Sequence, residues 1–561
     1  MQADISAAIA ARYQDLNIEW NVDVTAYPSI VSLFEEAMRN FADLPVCSSL
    51  GHALTYQELD RLSADFASWL QIDSGLAKGD RVAIQMPNLM QYLVACMGTL
   101  RAGMVVVNTN PLYTERELEH QLNDSGARVL VVQANVAEVA SKVVAKTKVE
   151  RVVLTEIADL HPVPKRWLVN GVVKYVKKMV PKVHFSNVIK FNQALRRGAT
   201  QAFTPVDVSL DDLAMLQYTG GTTGLAKGAM LSHGNIVANV MQLDGFFETF
   251  GIEAQGSVFM QPLPVYHIYA FTISMYSLKK GAHTLFIPNP RDLGSVVEAF
   301  EQYKPTVFCG LNTLFVALCN DPRFQSLTFE NLALTMSGGM ALTQDAAERW
   351  AEVTECKVYE GYGLTETSPT ATSNPGNGRQ LGTIGIPVPQ TEVKTVNEHG
   401  ETLGFGDAGE LCIKGPQVMQ GYWQRPEATA EVLDESGWFS TGDVAVIQPD
   451  GYLKIVDRIK DMIIVSGFNV YPTDLEDVCA KHSGVLGCAA VGVPSETTGE
   501  GIRMYVVKSD AALTEDDVIA YMREQVTGYK VPKSVVFRDD LPKTNVGKIL
   551  RRELRDEAAN D

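Results

Sequence analysis

Residues 218–228 read YTGGTTGLAKG, which packs four glycines, three threonines and one lysine into eleven residues. The apolar run Leu213-Ala214-Met215-Leu216 leads in, and Ala229-Met230-Leu231 leads out. A chain that leaves a buried strand and turns glycine-rich can bring backbone N–H groups close to an anion. Gly220, Gly221, Gly224 and Gly228 allow the approach, the hydroxyls of Thr219, Thr222 and Thr223 add donors, and Lys227 adds a positive charge suited to a phosphate oxygen. The string suits a nucleoside triphosphate. A surface turn of the same composition is the bland alternative, because short glycine motifs recur widely. A Walker-type loop is excluded by order: it needs Gly-Lys-Ser/Thr opening a helix, and here Lys227 precedes Gly228.

Around this loop, short strand-like runs alternate with helical periodicity. Val82–Met86, Met104–Val107, Arg128–Val132 and Val152–Leu154 read as strands, and residues 91–100 as a helix. Ile30, Val31, Leu33, Phe34 and Met38 recur at helical spacing, and Thr114 with Glu117 forms a capping box. The pattern predicts an α/β fold with a largely parallel sheet covered on both faces. A length of 561 residues predicts two to four domains. The net charge of −18 argues against nucleic acid as the main partner. Eight scattered cysteines without a C-x-x-C pair suggest neither a zinc site nor a disulfide framework. No signal peptide or run of about 20 apolar residues is visible, so a cytoplasmic chain, at most peripheral on the membrane, is expected.

Residues 161–206 stand apart, with no Asp or Glu in an otherwise acidic chain. Lys165, Arg166, Lys174, Lys177, Lys178, Lys182, Lys190, Arg196 and Arg197 are interleaved there with Trp167, Leu168, Val172, Val173, Tyr175, Val176, Met179 and Val180. Such a segment can lie on an anionic membrane, or be a solvated face over ordinary core. Pro162, Pro164, Gly171 and Pro181 argue against one long helix.

Downstream, a strand expected over 332–335 precedes Ser337-Gly338-Gly339-Met340, and Glu360-Gly361-Tyr362-Gly363-Leu364-Thr365-Glu366 follows. Glycines there let backbone lie along a planar base, Tyr362 offers a stacking face, and Glu366 offers a hard oxygen for Mg²⁺. Trp438-Phe439-Ser440-Thr441-Gly442-Asp443 puts an aspartate on a tight turn, placed to accept ribose hydroxyls. The last hundred residues read as a compact α/β unit. Strands are expected over 489–494 and 504–507, a capping box from Thr473 and Glu476, and a helix opened by Thr514. A Pro- and Gly-shaped loop then presents Lys548.

Taken in this order, these motifs resemble the acyl-adenylate-forming superfamily of acyl-CoA synthetases, firefly luciferase and peptide-synthetase adenylation domains. Residues 437–476, GWFSTGDVAVIQPDGYLKIVDRIKDMIIVSGFNVYPTDLE, are most similar to its bacterial long-chain fatty acid–CoA ligases. Departures are small: Gly220-Gly221 where relatives often have Ser-Gly or Thr-Gly, and Ala226 where many have Pro.

The resemblance implies a large multi-subdomain α/β domain over 1–457, a hinge over 458–461 centred on Lys460, and a small mobile α+β domain over 462–561. It implies that residues 218–224, Lys227, Gly338–Met340, Glu360–Gly363, Thr365, Asp443 and Arg458 bind ATP, with Thr219 and Glu366 holding Mg²⁺. Tyr266, His267 and Tyr269, in the stretch after Pro262-Leu263-Pro264, would line or gate the acyl pocket. Lys548, Glu366 and His267 are its catalytic candidates, and Ser466, Gly467 and Phe468 its coenzyme A face. The implied reaction makes an acyl-adenylate from a long-chain fatty acid and ATP, then a thioester with coenzyme A. A medium-chain or aryl acid is the alternative substrate. A peptide-synthetase module would need an acidic residue near the acid site, and residues 261–290 have none. A non-catalytic binding protein on this fold would be expected to lose Lys548, Glu366 or Asp443, and all three are present. A homodimer is the superfamily's frequent habit.

Overall fold

The computed structural model describes residues 1–219, 226–466, 468–495, 498–543 and 549–558. Among these, the strands gather into four sheets. The first has seven strands, in the spatial order Val188–Lys190, Arg151–Thr155, Val129–Gln133, Arg81–Gln85, Val105–Thr109, Leu213–Thr219 and Lys227–Ser232. All its neighbours are parallel except the last pair, the antiparallel strands that flank the glycine-rich loop. Four of these strands fall within about two residues of the sequence expectation, because Val-rich runs buried on both faces leave little choice.

The second sheet has nine strands, with Val258–Gln261, His283–Phe286, Val307–Gly310, Leu334–Ser337 and Val358–Gly363 as its parallel core. The strand expected over 332–335 begins two residues later. Leu332 is held in a turn by its N–H to Phe329, and pairing with Val307–Gly310 starts only at Leu334. Buried amides fasten the two sheets together: Asn88 donates to the carbonyls of Gln261 and Leu263 at 3.0 and 2.8 Å, and Gln217 donates to that of Tyr266 at 2.8 Å. A buried amide without such partners would cost about 1–3 kcal/mol, so each also fixes register between the sheets.

A third, four-stranded antiparallel sheet runs Glu392–Val396, Gly409–Lys414, Phe439–Ile447 and Leu453–Arg458. A turn over 459–462 leads to the fourth sheet, built on Ile463–Val465, Phe468–Val470, Val485–Ser495, Gly499–Lys508 and Ser534–Arg538. Thr514 opens its helix as expected, with Asp517 completing a box there, and the capping box at Thr114 and Glu117 is present. The one expected at Thr473 and Glu476 is not. The helix Pro472–Cys479 starts earlier, from Tyr471, because Pro472 has the fixed φ that suits a first helical position. Glu476 instead turns inward, accepting from Arg551 at 2.5 Å and from the Ala490 N–H at 2.8 Å.

In the acid-free segment, the helix Lys165–Gly171 runs on into a wider turn over Val172–Val176. Gly171 does not interrupt it, since its φ of −63° is ordinary helix. The segment stands out from the body: Trp167 and Leu168 are each 68% exposed, Tyr175 72% and Val176 73%. Lys165 pins its start by donating to the carbonyls of Leu50 and Gly51, both at 3.0 Å. Among the described residues, no helix is long and apolar enough to cross a membrane.

Candidate nucleotide and acyl site

Three site segments follow the C-terminal ends of parallel strands in the second sheet, where open α/β sheets bind ligands. The strand Val258–Gln261 delivers Tyr266 and His267, Leu334–Ser337 delivers Gly338 to Met340, and Val358–Gly363 delivers Thr365 and Glu366. His267 precedes the helix Ile268–Lys279 as its N-cap residue, and its ring lies 4.8 Å from that of Tyr266. The Tyr269 ring packs against Gly338, where an added Cβ would come within 3.2 Å of it. The Tyr269 hydroxyl and the Ser337 hydroxyl are both buried without a partner in the protein. Buried hydroxyls left without a partner are groups that an incoming polar ligand can satisfy. Gly363 is forced by packing as well, since a Cβ there would meet the Pro369 carbonyl at 1.8 Å.

Glu366 lies on the short turn Thr365–Thr367 and is buried. Tyr422 donates to its Oε1 at 2.7 Å, and the Lys227 ammonium sits 4.5 Å over the Tyr422 ring. Burial pushes the Glu366 pKa up, while the Tyr422 hydroxyl and the Lys227 charge pull it down. Asp443 is near enough to push it up again. No cluster of three or more acidic, histidine or cysteine ligands exists among the described residues. This donor set fits Mg²⁺, which is commonly held by one or two protein carboxylates, with substrate phosphates and water completing the shell. Glu366, with Thr219 at the end of the strand Leu213–Thr219, would supply the protein oxygens.

Asp443 and Arg458 are direct partners across the antiparallel pair, and Arg458 Nε meets Asp443 Oδ1 at 3.2 Å. The Tyr362 hydroxyl donates to Asp443 Oδ2 at 2.6 Å. Both carboxylate oxygens are thus engaged. Each keeps a second lone-pair direction, so ribose hydroxyls can still be accepted. Tyr362 is therefore fixed through its hydroxyl as well as offering a face. Glu360 accepts from the Leu342 N–H at 3.1 Å, and burial pushes its pKa up to about 8, so it is protonated at neutral pH.

Among the coenzyme A candidates, Ser466 sits at φ +53° and Phe468 is 57% exposed, stacked on Tyr529 at 4.9 Å. Lys460 lies in the turn after Leu453–Arg458, and Arg555 donates to its carbonyl. Gly220, Gly221, Thr222, Thr223, Gly224, Gly467 and Lys548 lie outside the described residues. The sequence reading missed Tyr422, Trp423, Arg425 and Asp124. Tyr422, Trp423 and Arg425 come from an unremarked GYWQR string at 421–425, and Asp124 from a helix that carried no signal of its own.

The profile described as AMP-binding enzyme matches residues 34–423, and that described as AMP-binding enzyme C-terminal domain matches 474–548. A long-chain-fatty-acid–CoA ligase of Salmonella typhimurium is 51% identical over 97% of each chain. The ligase of the same name from Bacillus subtilis is 35% identical over 94% of each. Among solved structures, ATP-bound MatB from Rhodopseudomonas palustris superimposes with a TM-score of 0.81 at 30% identity, covering 94% of this chain and 98% of its own.

Proposed function

From the premise that the chain belongs to the AMP-binding enzyme family, we propose that it is an ATP-dependent long-chain fatty acid–CoA ligase. The observation that carries this is identity of about half the residues, over nearly the whole length, to ligases of that name. A fatty carboxylate oxygen attacks the α-phosphorus of ATP, the bond to the β-phosphate oxygen breaks, and acyl-adenylate and pyrophosphate form. The thiol of coenzyme A then attacks the acyl carbonyl, losing its proton as the bond to AMP breaks.

Carboxylate and triphosphate repel, so this chain's first task is to offset both charges. Lys227 and the loop donors of 219–224 would hold the phosphates, and Lys548 would sit between carboxylate and α-phosphate. Asp443 and Arg458 would orient the ribose, Glu360 to Gly363 the adenine. Mg²⁺ held by Glu366 and Thr219 would add charge neutralisation on the triphosphate. Tyr266, His267 and Tyr269 would line the acid pocket. In the second step, rotation of 462–561 about 458–461 would remove Lys548 and bring Ser466 to Phe468 to the site. No protein nucleophile is needed. Radiolabelled ATP and an acyl-chain series test the reading: AMP and pyrophosphate should appear, fastest with long chains. ADP and phosphate as products would refute it.

A second reading concerns where the enzyme works. The exposed apolar side chains of Trp167, Leu168, Tyr175 and Val176 share the projecting segment with Lys174, Lys177 and Lys178. That combination suits an anionic lipid surface despite the net charge of −18. Charge reversal at the three lysines should weaken pelleting with anionic vesicles. Unchanged pelleting, or none by the parent protein, would sink this reading alone.

A further inference from the structure

The helix Glu115–Ser125 carries His120 and Asp124 one turn apart on one face, and that face meets both ends of the glycine-rich loop. On the entering side, the Tyr218 hydroxyl donates to Asp124 Oδ2 at 2.7 Å. On the leaving side, His120 Nε2–H donates to the Ala226 carbonyl at 3.0 Å. The Asp124 side chain is only 8% exposed, and its other oxygen takes Arg425 at 2.5 Å. Its backbone carbonyl accepts the Trp423 indole N–H at 3.1 Å, and the Trp423 N–H in turn donates to the Gly228 carbonyl at 2.8 Å. A Cβ on Gly228 would lie 3.1 Å from the Tyr218 ring, so that ring closes over the returning strand. Strand pairing of Thr219 with Lys227 ties the mouth of the loop from the other direction.

We propose that Asp124 is a positioning residue for ATP, holding the phosphate loop at its mouth through Tyr218 while Arg425 holds its carboxylate in place. His120 completes the clamp on the far end of the loop. Asp124 touches no substrate; it acts on the triphosphate through the loop's first residue. The same strip that reaches Asp124 through Trp423 and Arg425 reaches Glu366 through Tyr422, so loop and metal-ligating carboxylate share one support.

The inference rests on the ATP-dependent reaction proposed above. The test is therefore run two ways on the full chain: steady-state pyrophosphate release, and equilibrium dialysis of ATP without acid or coenzyme A. Asp124→Ala should raise the KM for ATP about tenfold or more, the scale of one lost charge-assisted hydrogen bond, with the KM for fatty acid little changed. Asp124→Asn, which can still accept the tyrosine hydroxyl, should recover part of the loss. Tyr218→Phe should weaken ATP in the same way, and the double variant should be no worse than the stronger single one. If Asp124→Ala does not fold, Tyr218→Phe and Asp124→Asn carry the same comparison. Equal rises in both KM values with a falling thermal midpoint would overturn the proposal, as would unchanged ATP affinity or additive effects. If dialysis shows the ATP defect while no chain length supports pyrophosphate release, the clamp stands and the reaction assignment fails.

Discussion

Asp443 and Asp461 are both gripped by arginine, yet their settings differ. Asp443 is buried at a strand register, with one arginine from the facing strand and a tyrosine hydroxyl from the adenine segment. Asp461 lies beyond the turn, where Arg551 and Arg555 reach it from the final helix at 3.5 and 2.9 Å. The first arrangement brings elements distant in sequence to a place where a ligand can add its own hydrogen bonds. The second ties the start of the C-terminal part to its end and leaves no role for a ligand. Similar ion pairs thus stand at the proposed nucleotide site in one case and form a fastening in the other, and their neighbours distinguish them.

The sharpest break between the two sides should come from Lys548→Ala and Lys460→Pro. The first should lose acyl-adenylate formation by orders of magnitude, from about 3–4 kcal/mol of lost electrostatic stabilisation, yet still make thioester from preformed acyl-adenylate. The second fixes φ in the turn and should exchange pyrophosphate while failing at thioester. Equal loss of both half-reactions in both folded variants would abolish the distinction. Next in size, Asp443→Ala leaves the Tyr362 hydroxyl buried without its acceptor. It should cost about 1–3 kcal/mol in stability and weaken ATP in dialysis. Unchanged ATP affinity would remove Asp443 from the site.

Asp461→Ala should cost stability on a smaller scale, about 1–2 kcal/mol by denaturant titration, because Arg551 retains Glu476. Its pyrophosphate exchange should match the parent; a loss there would give Asp461 a part in adenylation. The smallest effect is a pH profile. Glu360 ionises near pH 8 in the folded chain and near 4.5 when free, so the native state binds the extra proton between those values. Its contribution to stability is present below about 4.5 and is lost as pH rises through 8. ATP binding should weaken over the upper part of that window, and Glu360→Gln should flatten the profile. A profile unaltered by the glutamine would exclude Glu360.

Much of this was legible in the chain because it depends on local rules. Buried valine runs announced the first sheet, and Thr114 with Glu117 announced its helix. The motif order carried the proposal of a nucleotide site. What escaped was whatever needs a partner far away in sequence. Asp124 looked like an ordinary helical residue until Arg425, 301 positions later, closed on it. Glu476 had the spacing of a cap but was claimed by Arg551. Gly171 sat in a helix that its type neither required nor forbade.

The bonds around the turn also bear on how the proposed hinge would move. On one side the Ile459 N–H is held by the Gly442 carbonyl at 3.0 Å, and Arg458 by Asp443. On the other, Arg555 grips the Lys460 carbonyl, and Asp461 is locked to the final helix. Any turning of one part against the other that keeps these grips has only the backbone torsions of Ile459 and Lys460 to pass through. It must also release the Thr473 N–H from Asp457, a 2.8 Å bond spanning the joint. The Asp461 and Met462 N–H groups, both 3.0 Å from the Arg458 carbonyl, span the same two residues, so the proposed hinge would have narrow freedom and three hydrogen bonds bridging it.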